Sequence, residues 1–430
     1  MSRLEDLRSA LFNLSFPPRN QTILFMPTKL ALVFALTLIS QVGIDQAQAQ
    51  QAYEQPGLYP ANHFVPESAL SGELYKVRPS ASCDGLGVTY WIDASDGTTY
   101  EAVGTQMLYQ RIAEIYAIAE LRKMDSGDEF AHSLGNGAKD TVTAVGKTLS
   151  DPGKAIAGVP QGVSKFFGSL GEGLKGGSSN YEDKAYSRVL GASKAKRQLA
   201  VKLGVNPYST NQTFQDELNR VGWSEAGGTL TIHFATAAIP AGAGLALNLN
   251  RNAQAEVVEN DPKQLDIINR KKLMNIGLSQ KTADLLIKHK WYSPMHRTAI
   301  TEALIALGPE HGQDVFLQVA ARASSEVDAN YFQQVAQLIE KYNQTVSPVQ
   351  TIMRSGRTVS FYDAKGEWVL PVPFDYCLWT ESVHERAQAL LAKRTNHEPL
   401  ILYTTGGLSD QARAACAQDQ IRVMDHVSLE

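Results

Sequence analysis

The residues best suited to chemistry lie near the C-terminus, in LILYTTGGLSD at 400–410. An apolar run ends at Tyr403, Thr404-Thr405-Gly406-Gly407 makes a turn, and Ser409 caps a helix with Asp410 in its first turn. In open α/β sheets, ligands sit at strand carboxyl ends, where glycines admit them to the free amides of a helix N-terminus. Thr404, Thr405, Gly406 and Gly407 are therefore the candidate ligand-binding residues. Asp375 and His384 fall in the preceding strand–helix unit, so a carboxylate and an imidazole are expected to share that edge as candidate catalytic groups. At least one of Gly406 and Gly407 is expected to need φ > 0. The competing reading is a plain connecting turn before a capped helix.

The sequence holds no GxGxxG after a strand, no GxxxxGK[ST], HExxH or GxSxG, no paired CxxC and no EF-hand loop. His289, His296 and His311 have neither i,i+4 nor finger spacing, and His233 reads as a core histidine, so no metal or cofactor is expected. Ser193 to Lys196 (SKAK), beside Arg197, reads as a basic helical face. Asp363-Ala-Lys365 is a fragment of a restriction-endonuclease-like site, placed in a hairpin turn. LMNIGLSQKTADLLIKHKW at 273–291 resembles half of a helix-hairpin-helix, in which Lys271, Lys272, Lys281, Lys288 and Lys290 would neutralise phosphates. It has one glycine where that motif usually has two, and it reads in preference as two bundle helices joined by Gly-Leu-Ser.

These candidates need a frame, and the expected fold is α+β, mainly α. Residues 50–71, with Pro56, Pro60 and Pro66, read as a flexible leader. Residues 72–130 form a β-hairpin around Asp96-Gly97 and a helix with Met107, Ile112, Ile115, Tyr116, Ile118 and Ala119 near one stripe. Residues 131–177 are a Gly-rich amphipathic segment; eleven of the 43 residues from 135 to 177 are glycine, yet apolar residues recur every three or four. A helical bundle follows over 178–345. Asp261-Pro262 opens one of its helices and Gly277 closes it; Ser279 and Ser293-Pro294 open two more. Residues 346–430 form a small α/β domain. Its expected strands are 357–362 and 367–372, the second at an edge because of Pro371 and Pro373, then 375–379, 399–403 and 421–424. Helices at 381–393 and 409–418 separate the last three.

The chain has 430 residues, 43% hydrophobic and 20% charged, enough for two or three domains. A net charge of -4 argues against a general nucleic-acid binder. Lys29, the apolar run Leu30 to Ile39 and Ala47-Gln48-Ala49 have the layout of a cleavable signal peptide, about half the length of a membrane span. Residues 1–49 are read as a spurious extension ahead of a start at Met26, followed by that signal. Cleavage after Ala49 leaves 36 basic and 41 acidic residues, a net of -5. An exported chain is periplasmic or secreted, where Cys377 and Cys416 are either bridged or two separate buried thiols.

As a set, WIDASDGTTYEAVG, MLYQRIAEIYAIAEL, DPGKAIAGVPQGVSKFFGSLGEGLKG, SKAKRQLAVKLGVNPYSTNQTFQDEL, WYSPMHRTAITEALIALG and YTTGGLSDQARAA resemble a family of exported bacterial proteins with no assigned function. The resemblance implies a bacterial envelope location and brings no catalytic residues. The Gly-rich part also resembles amphipathic segments of lipid-binding proteins. From Lys139 to Lys175 it carries five lysines and three acids. Lys147, Lys154, Lys165, Phe166 and Phe167 are its candidate membrane-surface residues. The expected role is a non-enzymatic envelope protein, structural or peripherally membrane-associated, whose partner is an anionic membrane surface or another envelope protein. The alternative is an enzyme or secreted effector using the 404–407 turn.

Overall fold

The computed structural model describes residues 53–124, 192–225, 251–394 and 399–429. The signal segment, the Gly-rich stretch with Lys147, Lys154, Lys165, Phe166 and Phe167, and His233 lie outside the described residues. Among those described are eleven α-helices and three sheets, a mixed α+β fold that is mainly α. No described helix is long and apolar enough to cross a membrane.

The first sheet is antiparallel and built on β5 (Val88–Ala94), which pairs with β6 (Thr99–Val103) on one side and with β3 (Tyr75–Val77) and β4 (Ser80–Cys83) on the other. The β5–β6 turn is the expected one, and Gly97 supplies its φ of +86°. Val88, Tyr90 and Ile92 point into the core at period two. Helix α1 (Thr105–Lys123) buries twelve of its nineteen residues, because it is packed on two sides. Leu108, Ile112 and Tyr116 meet the sheet, while Ala117, Ile118 and Leu121 meet α2 (Ala192–Lys202) and α3 (Gln212–Glu225).

The flexible leader is a correction. Residues 57–72 carry β1 (Gly57–Pro60), paired with β4, two 3-10 turns, and β2 (Ser71–Gly72), paired with β3. Ala61, Val65 and Ala69 are core residues. The prolines mark element ends: Pro60 closes an edge strand, where a missing N–H is tolerated, and Pro66 precedes the second turn.

The middle helices are α4 (Arg251–Glu259), α5 (Pro262–Asn275), α6 (Gln280–Ile287), α7 (Pro294–Ile305), α8 (Gln313–Ala320) and α9 (Glu326–Thr345). Their starts follow the capping residues. Asp261 accepts from the Lys263 and Gln264 amides, Ser279 from Thr282, and Ser293 from His296. Gly277 ends α5 at φ +93°.

The helices share one core with the C-terminal sheet: Tyr292, Leu304, Phe316, Phe332, Ile339 and Tyr342 pack with Val359, Phe361, Val369, Ile401 and Tyr403. That sheet runs β13 (Ile421–Met424), β11 (Leu400–Tyr403), β9 (Trp368–Pro371), β8 (Thr358–Asp363), β7 (Val349–Ser355). Its first three members are parallel and the rest antiparallel. Three expectations change here. Strand β7 was not anticipated. β9 is interior rather than at an edge, with Pro371 only at its last position. The segment 375–379 contributes just β10 (Tyr376–Cys377), which leaves the main sheet and pairs with β12 (Gly407–Leu408) in a ribbon of its own. Helices α10 (Glu381–Leu391) and α11 (Asp410–Gln418) complete the unit.

Candidate functional site

Beyond β9 the chain leaves the sheet and runs along the β4–β5 turn. The amides of Asp375 and Leu378 donate to the carbonyls of Leu86 and Gly85, both at 3.0 Å. This sets the Asp375 carboxylate against the start of α1. Oδ2 accepts from the Val88 N–H at 2.8 Å and Oδ1 from the Thr105 N–H at 2.7 Å. The N-cap of α1, Gly104, offers no side chain, so Asp375 serves as its cap from 270 residues away. Burial pushes its carboxyl above the usual carboxylate range, against the opposing pull of the two amides.

His384 does not join it. Its ring stands edge-on to Trp379, 5.5 Å between centroids, on α10. The Thr404–Gly407 turn is filled by the chain itself. Thr404 is fully buried; its N–H donates to Met424 and its carbonyl accepts from Val427, both at 3.0 Å. The Thr405 hydroxyl donates to the Phe374 carbonyl at 3.3 Å. Neither Gly406 nor Gly407 has positive φ, which corrects the reason for glycine here. A Cβ on Gly406 would sit 2.2 Å from the carbonyl oxygens of both Phe374 and Asp375, so the position excludes a side chain by crowding. Of the turn's backbone groups, the Thr404 N–H and carbonyl and the Gly406 carbonyl bond to residues 424–427, and the Gly406 N–H donates to the Thr404 hydroxyl at 3.3 Å.

Comparison with protein-family models, curated proteins and solved structures gives no match.

Sequence reasoning missed a second carboxylate. Glu54, inside the supposed leader, accepts from the Trp379 N–H at 2.6 Å and from the Ser409 hydroxyl, while its own N–H donates to the Trp379 carbonyl at 2.9 Å. Ser409 caps α11 as expected, accepting from Ala412. Glu54 and Asp375 thus form a reciprocal clasp. A carboxylate before the first sheet holds C-terminal donors, and a C-terminal carboxylate holds donors of the first sheet and α1. Nothing local in the sequence signals either contact. Tyr376 of the same segment makes edge-on contacts with His63 and Phe64, at 4.9 and 5.4 Å, and those two with each other and Phe64 with Tyr59, at 5.3 and 6.1 Å.

The remaining candidates resolve individually. All three cysteines are free and buried. Cys377 and Cys416 share an apolar cluster with Phe374, Val383 and Leu408, and burial pushes their thiols up to about 12 and about 11. Asp363 holds the β8–β9 turn by accepting from the Lys365 and Glu367 amides at 2.9 Å, so Asp363-Ala-Lys365 is turn chemistry. In the SKAK stretch, Lys194 pairs with Glu259 and Arg197 donates to the Val258 carbonyl, tying α2 to α4. His289 bonds to the Ala321 carbonyl and His311 to that of Gln350. Among the described residues no group of side chains could hold a metal.

His296 forms a Ser–His–Asn chain: Nδ1 lies 2.9 Å from the Ser293 hydroxyl, and Nε2 lies 2.8 Å from Asn330 Oδ1. The Ser293 N–H also donates to Nδ1, which assigns the proton to Nε2. The composition is that of a nucleophile, base and orienting group. The geometry is a buried capping box, with Ser293 7% exposed and its hydroxyl accepting from the His296 amide. Burial lowers the His296 pKa and keeps the ring neutral. A recess lined by Leu74, Tyr100, Ile118 and Arg122 holds about 40 Å³, room for water rather than a substrate.

Proposed function

We propose that this chain is an exported, non-enzymatic structural protein of the bacterial envelope, periplasmic or secreted, acting at an anionic membrane surface or against another envelope protein. The observation that carries the non-enzymatic part is the clasp. The carboxylate and capping serine that could have built an acid–base or ligand site instead hold the two ends of the fold together, and Gly406 packs against the Phe374 and Asp375 carbonyls. A general acid or base must be free to exchange its proton with substrate. Asp375 could do so only by releasing two backbone donors. Export rests on the Lys29–Ala49 segment and its small-x-small end.

Cell fractionation with N-terminal sequencing tests the reading. The expected product starts at Gln50 and is found in the envelope or the medium. A cytoplasmic chain retaining Met1 or Met26 would refute export. An Asp375→Asn chain that keeps wild-type abundance and stability but loses the wild-type phenotype would refute the non-enzymatic part.

A further inference from the structure

The α5–α6 hairpin turns a stripe of apolar and basic side chains to solvent. On α5, Ile267, Lys271 and Met274 follow helical spacing, half-exposed to exposed, with Met274 at 42%. On α6, Lys281, Leu285 and Lys288 do the same. The two stripes are neighbours, because Arg270 on α5 pairs with Asp284 on α6 at 2.7 Å, and Lys288, the C-cap of α6, shares that Asp284 at 2.8 Å. Just past α6, Trp291 is 37% exposed, with the Lys290 ammonium 5.1 Å from its ring centre.

The charge is one-sided. From Ile267 to Trp291, Lys272 apart, the charged residues are Arg270, Lys271, Lys281, Lys288 and Lys290 against Asp284 alone, and with Arg270 and Asp284 paired to each other the four lysines leave a net of +4 in a chain whose total is -4. Lys272 is the exception expected of the phosphate-binding set. It turns inward between Glu256 and Glu302, at 2.6 and 2.7 Å.

We propose that this face docks on the surface of an anionic phospholipid bilayer. The lysines would meet headgroup phosphates, and Met274 and Trp291 would enter the interfacial layer. Complementary charge selects an anionic partner. The two exposed apolar side chains select a bilayer over a nucleic-acid backbone, since tryptophan and long apolar chains gain by leaving water at the headgroup boundary. The inference rests on the envelope reading and names the surface that would make the contact.

The test is co-sedimentation of the full chain with vesicles of phosphatidylglycerol and phosphatidylcholine, with pure phosphatidylcholine vesicles and a duplex oligonucleotide as comparators. Binding to phosphatidylglycerol vesicles that weakens with added salt is expected. Lys281→Ser with Lys288→Ser should weaken it roughly thirtyfold, at about fivefold per lysine. Met274→Ser with Trp291→Ser should weaken it at unchanged salt dependence. Thermal unfolding controls for fold, because all four side chains lie outside the core. Unchanged vesicle binding in both variants, abolished instead by Lys147→Ser, Lys154→Ser and Lys165→Ser, would overturn this face while leaving the envelope reading intact. Absence of vesicle binding by the wild-type chain, or oligonucleotide binding in its place, would overturn it as well.

Discussion

Asp375 gives the sharpest prediction, because alanine and asparagine perturb it differently. Alanine removes the acceptor of the Val88 and Thr105 amides together. A buried donor left without a partner costs about 1–3 kcal/mol, and losing a negative charge at a helix N-terminus costs about 0.3–1 kcal/mol. Against this, the raised carboxyl pKa means that burying the charge already costs something, and either substitution relieves that. The net expected for Asp375→Ala is a loss of about 2–4 kcal/mol. Asparagine keeps one acceptor oxygen, turns an NH₂ toward the other amide and removes the charge, so its loss should stay under about 1.5 kcal/mol. Urea unfolding followed by tryptophan fluorescence separates the two. The pH dependence has a defined sign. A carboxyl whose folded pKa is raised contributes stability that is complete below the ordinary value of 3.8 and is lost as pH rises through the folded pKa. The difference between wild type and Asp375→Asn should therefore shift in favour of wild type on acidification. An alanine variant costing under about 1 kcal/mol, or an asparagine variant at least as damaging, would refute the clasp.

Gly406→Ala should cost about 3 kcal/mol or more, because its Cβ meets two backbone oxygens at 2.2 Å, whereas Gly97→Ala, in open space at φ +86°, should cost about 1 kcal/mol; denaturation midpoints give the order. His296 has a lowered folded pKa, so its contribution is present above the ordinary value of 6.5 and lost as pH falls through the folded pKa. His296→Gln should flatten that part of the stability profile, and an unchanged profile would show that another group titrates there. A thiol reagent should count three free cysteines in denaturant and react slowly with all three in the native protein. Recovery of one thiol instead would mean that two are bridged.

What the sequence made legible was local. The Asp96-Gly97 hairpin and the caps at Asp261, Ser279, Ser293 and Ser409 each depend on residues within a few positions of one another. The clasp depends on none. Val88 and Asp375 are separated by 287 residues, and Glu54 and Ser409 by 355, so no periodicity or capping pattern relates them. Prolines misled for a physical reason: Pro60 and Pro371 each occupy a strand's last position, where a missing N–H is harmless, and from sequence this cannot be told from a loop, at Pro60, or from an edge strand, at Pro371. β7 escaped because its register shifts between Val349 and Thr351, which breaks the alternation that marks a half-buried strand.

The same long range explains why two carboxylates occupy this junction at all. An apolar contact would tolerate small displacements of the first sheet against residues 374–379, because apolar burial has no direction. A carboxylate shared by two backbone amides fixes the β4–β5 turn, the start of α1 and the 374–378 segment to one register, and Glu54 fixes the chain before β1 to the start of α11 in the same way. Burying the Asp375 carboxylate raises its pKa, so part of what its two hydrogen bonds contribute is offset by desolvation. Those amides have their acceptor only once residue 375 is in place. Until then the N-terminus of α1 lacks its cap, and the first core lacks Leu378, which inserts from the same segment. The first sheet and the C-terminal unit therefore complete each other through residues 375–379 and Ser409, and the turn at 404–407 packs against the start of that same segment.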